Sequence, residues 1–425
     1  MTDRIIAILR RLDIPVWRVT EKHSETAELY FIRKALDIPR LKELTRYSVQ
    51  VFRDFERDGK RFRGSTNALL SPGMRDDEIE DRIRGAYYAA SYVRNAWFEL
   101  PAPVKEPHRA SDSDLAAMEP ADAAMKLAEG LFAVDTDSDA FLNSVEIFVT
   151  KSATHILASN GLDVSFDECS VSGELVAQCI TPKDVEQFRS FEYDTLDIAA
   201  LQQRAGDVIR DVRIRARCTQ PPKAGCYDIL LTGEHIAELF TYYATRSGAS
   251  MIYPGYSQWK PGMAVQGEEI QGEKLNLTLM PIEPFSAEGI PMIRRPLIEN
   301  GVMKTIHGGA RFCWYLGTEP TGDYDRLLCE NGTVPMAQLQ GEGVLEPISF
   351  SDFQMDYMDG HFKGEIRLAL LHHADGSVEE LAGGSINGSL TDAQTQLVFS
   401  TERYADRTYE GPLAVRIPGV QVAGL

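Results

Sequence analysis

The sequence has no apolar run long enough to span a bilayer, and its opening, MTDRIIAILRRLD, lacks the pattern of a secretory signal. Neither a membrane nor an export route is expected, and the location read from this is cytoplasmic. Positive charge is also scarce: 44 Lys and Arg stand against 63 Asp and Glu, a formal net charge of −19. A field of that sign repels phosphate, so no nucleic-acid partner is expected. The cysteines, Cys169, Cys179, Cys218, Cys226, Cys313 and Cys329, form no CxxC pair. That argues against a zinc ribbon or a disulfide framework and for reduced, partly buried thiols. No GxSxG elbow or P-loop occurs.

What is present reads as a globular chain of more than one domain. With 425 residues, 44% hydrophobic and 25% charged, it is too long for one core and ordinary in composition. The N-terminus suits an amphipathic helix with Thr2 as N-cap and Ile5, Ile8, Leu9 and Leu12 on one face. The stretch from Arg46 to Gly73 alternates apolar and polar residues about an Asp58-Gly59 turn. A helix follows, with Ile79, Ile83, Ala86, Tyr87 and Ala90 at helical spacing behind three acidic residues. Residues 99–120 read as a surface loop, and 143–180 as a run of short strands broken at Asn160-Gly161. A further helix lies around residues 197–212. The expected fold class is α+β: a mixed α/β N-terminal domain, residues 1–217, then a linker, 218–225, around Pro221-Pro222. A β-rich C-terminal domain, 226–425, is marked by Asn-Gly and Asp-Gly pairs at 300, 331, 359, 375 and 387.

One segment invites a metal. GEHIAELFTYYATRSG, Gly233 to Gly248, is a good helix, with Thr232 as cap, Arg246 in the last turn and Gly248 as terminator. Ile236, Leu239, Phe240, Tyr243 and Ala244 form its apolar stripe, leaving Glu234, His235, Glu238, Thr241, Tyr242, Thr245 and Arg246 on or beside the polar face. Glu234, His235 and Glu238 could share an ion, but a catalytic zinc usually takes three protein ligands and no second histidine stands near. They could equally be solvated residues of an exposed first turn. His372-His373 point to opposite faces of a strand, and Cys313 reads as a core thiol.

The second half carries a resemblance. IEPFSAEGIPMIRRPLIENGVMKTIHGGARFCWYLG, with Glu288-Gly289, Pro291, Arg294, Leu297, Ile298, Gly301, Val302, Lys304 and Ala310, resembles the TldD/PmbA peptidase family, also called modulators of DNA gyrase. DGHFKGEIRLALLHHADGSVEELAGGSINGSL and the tail AVRIPGVQVAGL are similar to its closing sheet and ending, and HILASNGLDVSF to its N-S-x-G hairpin. In the TldD branch the resemblance implies a helix with His-Glu-x-x-x-His and a late cysteine, together holding zinc. Here Thr241, Tyr242 and Arg246 stand at the motif positions, and no cysteine follows Cys329. The closest branch is therefore PmbA/TldE, which lacks zinc.

The resemblance thus implies a non-catalytic subunit that pairs with a TldD-like, zinc-bearing chain, or with itself, and handles unfolded peptide. No catalytic residue, metal ligand or cofactor is assigned to this chain; zinc is expected only on such a partner. An active metallopeptidase with a non-standard site and a homodimeric peptide-binding scaffold are the alternatives.

Overall fold

The computed structural model describes residues 1–424. Its first half runs α1 (Thr2–Arg11), β1 (Val16–Ile32), β2 (Ala35–Arg57), β3 (Lys60–Leu70), α2 (Asp76–Ala90), α3 (Pro120–Phe132), β4 (Ala140–Ala158), β5 (Asp163–Cys179), β6 (Val185–Tyr193) and α4 (Ile198–Arg217). The strands form one antiparallel sheet in the order β3-β2-β1-β4-β5-β6.

Strand side chains alternate between faces, and that rule decides what this sheet does. On β1, Trp17, Val19, Ala27, Leu29 and Phe31 are all odd-numbered and all buried beneath the helices. Arg18, Thr20 and Lys22 consequently face the other way. On β5, Cys169, Val171 and Leu175 join the helix-side core, while Phe166 and Glu168 point to the opposite face. There Phe166 meets Phe285 of the second half, ring centroids 6.1 Å apart. A partly charged sheet face is thus turned toward the second half, and the seam between the halves is polar by construction.

The second half runs β7 (Gly225–Thr232), α5 (Glu234–Ser247), α6 (Ala249–Ile252), β8 (Leu277–Met280), β9 (Arg295–Glu299), β10 (Val302–Met303), α7 (Ala310–Leu316) and β11 (Arg326–Cys329). It continues through β12 (Val344–Met355), β13 (His361–His372), β14 (Val378–Leu381), β15 (Ser385–Ser389), β16 (Val398–Phe399), β17 (Arg403–Ala405), β18 (Tyr409–Pro412) and β19 (Ala414–Ala423). One sheet has the order β10-β9-β8-β11-β18-β17. The other runs β12-β7-β19-β15-β13, and because β13 also pairs with β12 the path closes on itself. Closure leaves these strands few free edges. The α5 residues Ile236, Leu239, Phe240 and Tyr243 share one core with residues of both sheets.

Several local expectations are corrected. Met1, not Thr2, is the N-cap of α1, and the Thr2 hydroxyl instead donates to Glu21 across the domain. Residues 143–180 belong to two long strands of 19 and 17 residues rather than several short ones. Their joining turn needs positive φ only at Gly161. Asn387-Gly388 lies inside β15, where Phe362 packs so close that a Cβ on Gly388 would sit 2.3 Å from its ring. That glycine serves packing, not a turn. At Asn300-Gly301 both residues do take positive φ, as a tight β9–β10 turn requires.

Candidate functional site

Strand β7 leads into α5 through Gly233, which adopts φ 60° as N-cap; Thr232 is the last residue of the strand and caps nothing. At the far end Gly248 has φ −70° and passes the chain straight into α6 rather than ending it in a left-handed cap. The expected stripe is buried, and Tyr242 is buried with it at 3% exposure. It is packed edge-on against Trp259 at 5.8 Å and Tyr243 at 5.4 Å. Its assignment to the polar face is corrected chiefly by Trp259, which arrives from a loop no helical period reveals.

The first turn is half-buried rather than exposed. It forms part of the wall of a cavity of about 480 Å³ between α4 and the second half, lined also by Arg189, Arg204, Asp207 and Asp211. Glu234 accepts from Arg204 of α4, whose guanidinium also donates to the Tyr404 hydroxyl at 2.9 Å. His235 also borders the cavity, and its ring lies against Phe350 and Phe353 of β12, centroids 4.8 and 5.3 Å away. Burial pushes its imidazole down to about 4, only partly offset by Glu234, so it is neutral at pH 7. Glu238, one turn on, accepts from the Met355 backbone amide at 3.2 Å, and burial raises its carboxyl. Three candidate ligands thus have three separate destinations.

The motif positions are equally committed. Thr241 Oγ1 donates to the Ala237 carbonyl one turn back at 2.8 Å. Arg246 Nη1 donates to the carbonyls of Tyr256, 2.6 Å, and Met358, 3.0 Å, and its guanidinium stands 5.9 Å from the Trp259 ring centroid. A fixed cation here ties two loops to the helix. His307 adds a third tie, donating from Nε2 to the Ala244 carbonyl at 2.8 Å.

These donors do not fit zinc. Among the described residues no group of three or more His, Cys, Asp and Glu is disposed to hold a metal ion, whereas a zinc site requires lone pairs converging within about 2.3 Å of one point. His372 is paired with Glu346 at 2.8 Å in the interior while His373 faces solvent, and Cys313 is a buried thiol that burial makes less acidic. Arg204, Tyr404, Phe350 and Phe353, which define the surroundings of the first turn, carry no sequence signal linking them to it.

Helix α5 is thus built for packing and for tying neighbouring loops. Residues 224–424 match the family model described as the PmbA/TldA metallopeptidase C-terminal domain. The second half of the chain thus belongs to the PmbA/TldD metallopeptidase family. A protein of Methanothermobacter thermautotrophicus named a metalloprotease is 27% identical over 241 residues, covering 52% of this chain and 47% of that protein. The chain thus spans about half the length of that relative.

Solved structures share the fold. TldE from Thermococcus kodakarensis superposes with a TM-score of 0.78 at 18% identity, covering 99% of this chain and all (100%) of that one. A candidate modulator of DNA gyrase from Bacteroides thetaiotaomicron gives 0.77 at 17% identity over 100% of this chain and 99% of that one. Another from Thermotoga maritima gives 0.76 at 15% identity over 99% of each. The family signature also acquires a physical role: Glu288 accepts from the Ala310 amide at 2.6 Å, joining the two ends of the recognised stretch.

Proposed function

We propose that this chain is a zinc-free, PmbA/TldE-like subunit of a peptide-processing assembly, paired with a zinc-bearing TldD-like chain. The observation that carries the reading is Arg246. A permanent cation, held by two backbone carbonyls at a position where the family motif would place a ligand, offers no lone pair and repels a divalent ion. Thr241 and Tyr242 reinforce it, since one hydroxyl is engaged with the helix backbone and the other side chain is buried among aromatic rings. The frame that remains can position an extended peptide, and hydrolysis falls to the partner's metal. Both chains would work in the cytoplasm.

The test is co-purification and activity. The chain alone, supplied with zinc, is expected not to cleave an unfolded peptide, and cleavage is expected when a chain bearing His-Glu-x-x-x-His is added. Chelator-sensitive cleavage by the chain alone would overturn the assignment.

A further inference from the structure

We infer that the seam between the two halves is a binding groove for an extended peptide segment bearing lysine or arginine side chains. This deepens the peptide-handling reading and rests on it. Three cavities follow one another along the seam, of about 620, 300 and 430 Å³. The first two share Glu168, Ile282, Glu283 and Met292 in their walls, and the last two share Glu288, Gly309 and Asp323. Shared walls make one continuous path rather than isolated pits, the form an extended chain needs.

The wall chemistry selects the side chains. Its arginines are already engaged: Arg407 bonds Glu168, Glu192 and Asp194, Arg326 bonds Asp194, Arg109 bonds Glu106, and Arg311 bonds Asn95. Asp112, Asp323 and Asp325 also line the path, and among the described residues no hydrogen bond or ion pair engages their carboxylates. Arg311 is paired with a neutral amide and Arg18 faces Glu288, yet carboxylates still outnumber the cations along the three walls.

Glu168 of β5 and Glu283 stand together across the seam, with Lys22 Nζ 3.5 and 3.9 Å from them. Burial, then the neighbouring Glu168, pushes the Glu283 carboxyl up to about 7. An incoming ammonium or guanidinium would replace the proton held there.

Beneath the carboxylates lies half-buried Ile282, backed by the buried Met292 and Phe285, a small apolar floor against which the stem of a long cationic side chain can lie. The chain demonstrates the fit on itself, since the Arg109 guanidinium sits 4.7 Å from the Phe285 ring centroid.

The experiment is fluorescence anisotropy of labelled, unstructured peptides with the full chain: one rich in Lys and Ser, one with Glu in place of Lys, and one neutral. The basic peptide is expected to bind, more weakly as salt rises, and the acidic one not to. Asp323→Asn with Asp325→Asn, both exposed and near-isosteric, should weaken basic-peptide binding roughly tenfold with an unchanged circular dichroism spectrum. Glu342→Gln with Asp375→Asn removes the same charge outside the groove and should change nothing.

Equal binding by wild type and the Asp323/Asp325 variant would overturn the groove while leaving peptide handling intact. Failure of the basic peptide to bind would also overturn it. If the neutral or acidic peptide bound in that case, the peptide-handling reading would survive; if none bound, both would fall.

Discussion

Helix α5 and the domain seam are opposite cases of how polar residues meet. On α5, Glu234, His235 and Glu238 lie within five positions of one another, yet each is drawn to a different neighbour: Arg204, a phenylalanine pair and a backbone amide. At the seam, Glu168, Glu283 and Asp323 are scattered through the sequence, yet line the same small cavity. Nearness along a helix sets which face a residue occupies, but convergence is set by what packs against that face. The α5 residues accordingly serve stability and connection, whereas the seam gathers more carboxylates than cations.

The two regions should respond differently to substitution. The largest effect expected is on the packed side of α5. Phe240→Ala removes a fully buried ring that touches Phe399 and Tyr409, and should cost about 3–5 kcal/mol in denaturant unfolding.

Next comes His235→Phe. The folded imidazole has its pKa lowered to about 4, so the unfolded chain takes up a proton more readily as pH falls below about 6.5, and stability is lost between there and pH 4. Phenylalanine abolishes that loss. The variant should unfold near wild type at pH 7.5 but gain about 2 kcal/mol on it at pH 4.

The seam should show the reverse dependence. Glu283 is raised to about 7, so its contribution is full below the unfolded carboxyl's pKa and is lost as pH rises through 7. Glu283→Gln should match wild type at pH 4.5 and gain about 1 kcal/mol at pH 8, a figure reduced for solvent screening. The smallest effect should be that of Asp323→Asn with Asp325→Asn, within about 0.5 kcal/mol of wild type in stability while altering peptide binding. If both regions shifted with pH in the same direction, the contrast between them would fail.

What the sequence disclosed follows the range of the forces involved. The apolar stripe of α5, the β2–β3 hairpin about Asp58-Gly59 and the positive-φ turn at Asn300-Gly301 depend on residues a few positions apart, and all were legible. The surroundings of the first turn of α5 were not. It reads as exposed because the residues that enclose it come from distant segments; the Arg204–Tyr404 contact spans 200 positions. Caps were misassigned at Thr2 and Thr232 because a hydroxyl near a helix start can bond elsewhere or belong to a strand. The helix at Pro120–Phe132 begins where the loop expected over residues 99–120 ends, and its buried face is largely alanine, which contrasts little with its polar side. The seam had no local signal at all, since lone carboxylates are indistinguishable among 63 acidic residues until the sheet turns Glu168 toward Glu283.

Elemental analysis of the purified full chain, equilibrated with zinc and then dialysed, addresses the metal-free helix directly. The result expected is far less than one ion per chain, unchanged by replacing Glu234, His235 and Glu238 together. One tightly held zinc per chain, lost in that triple variant, would contradict it.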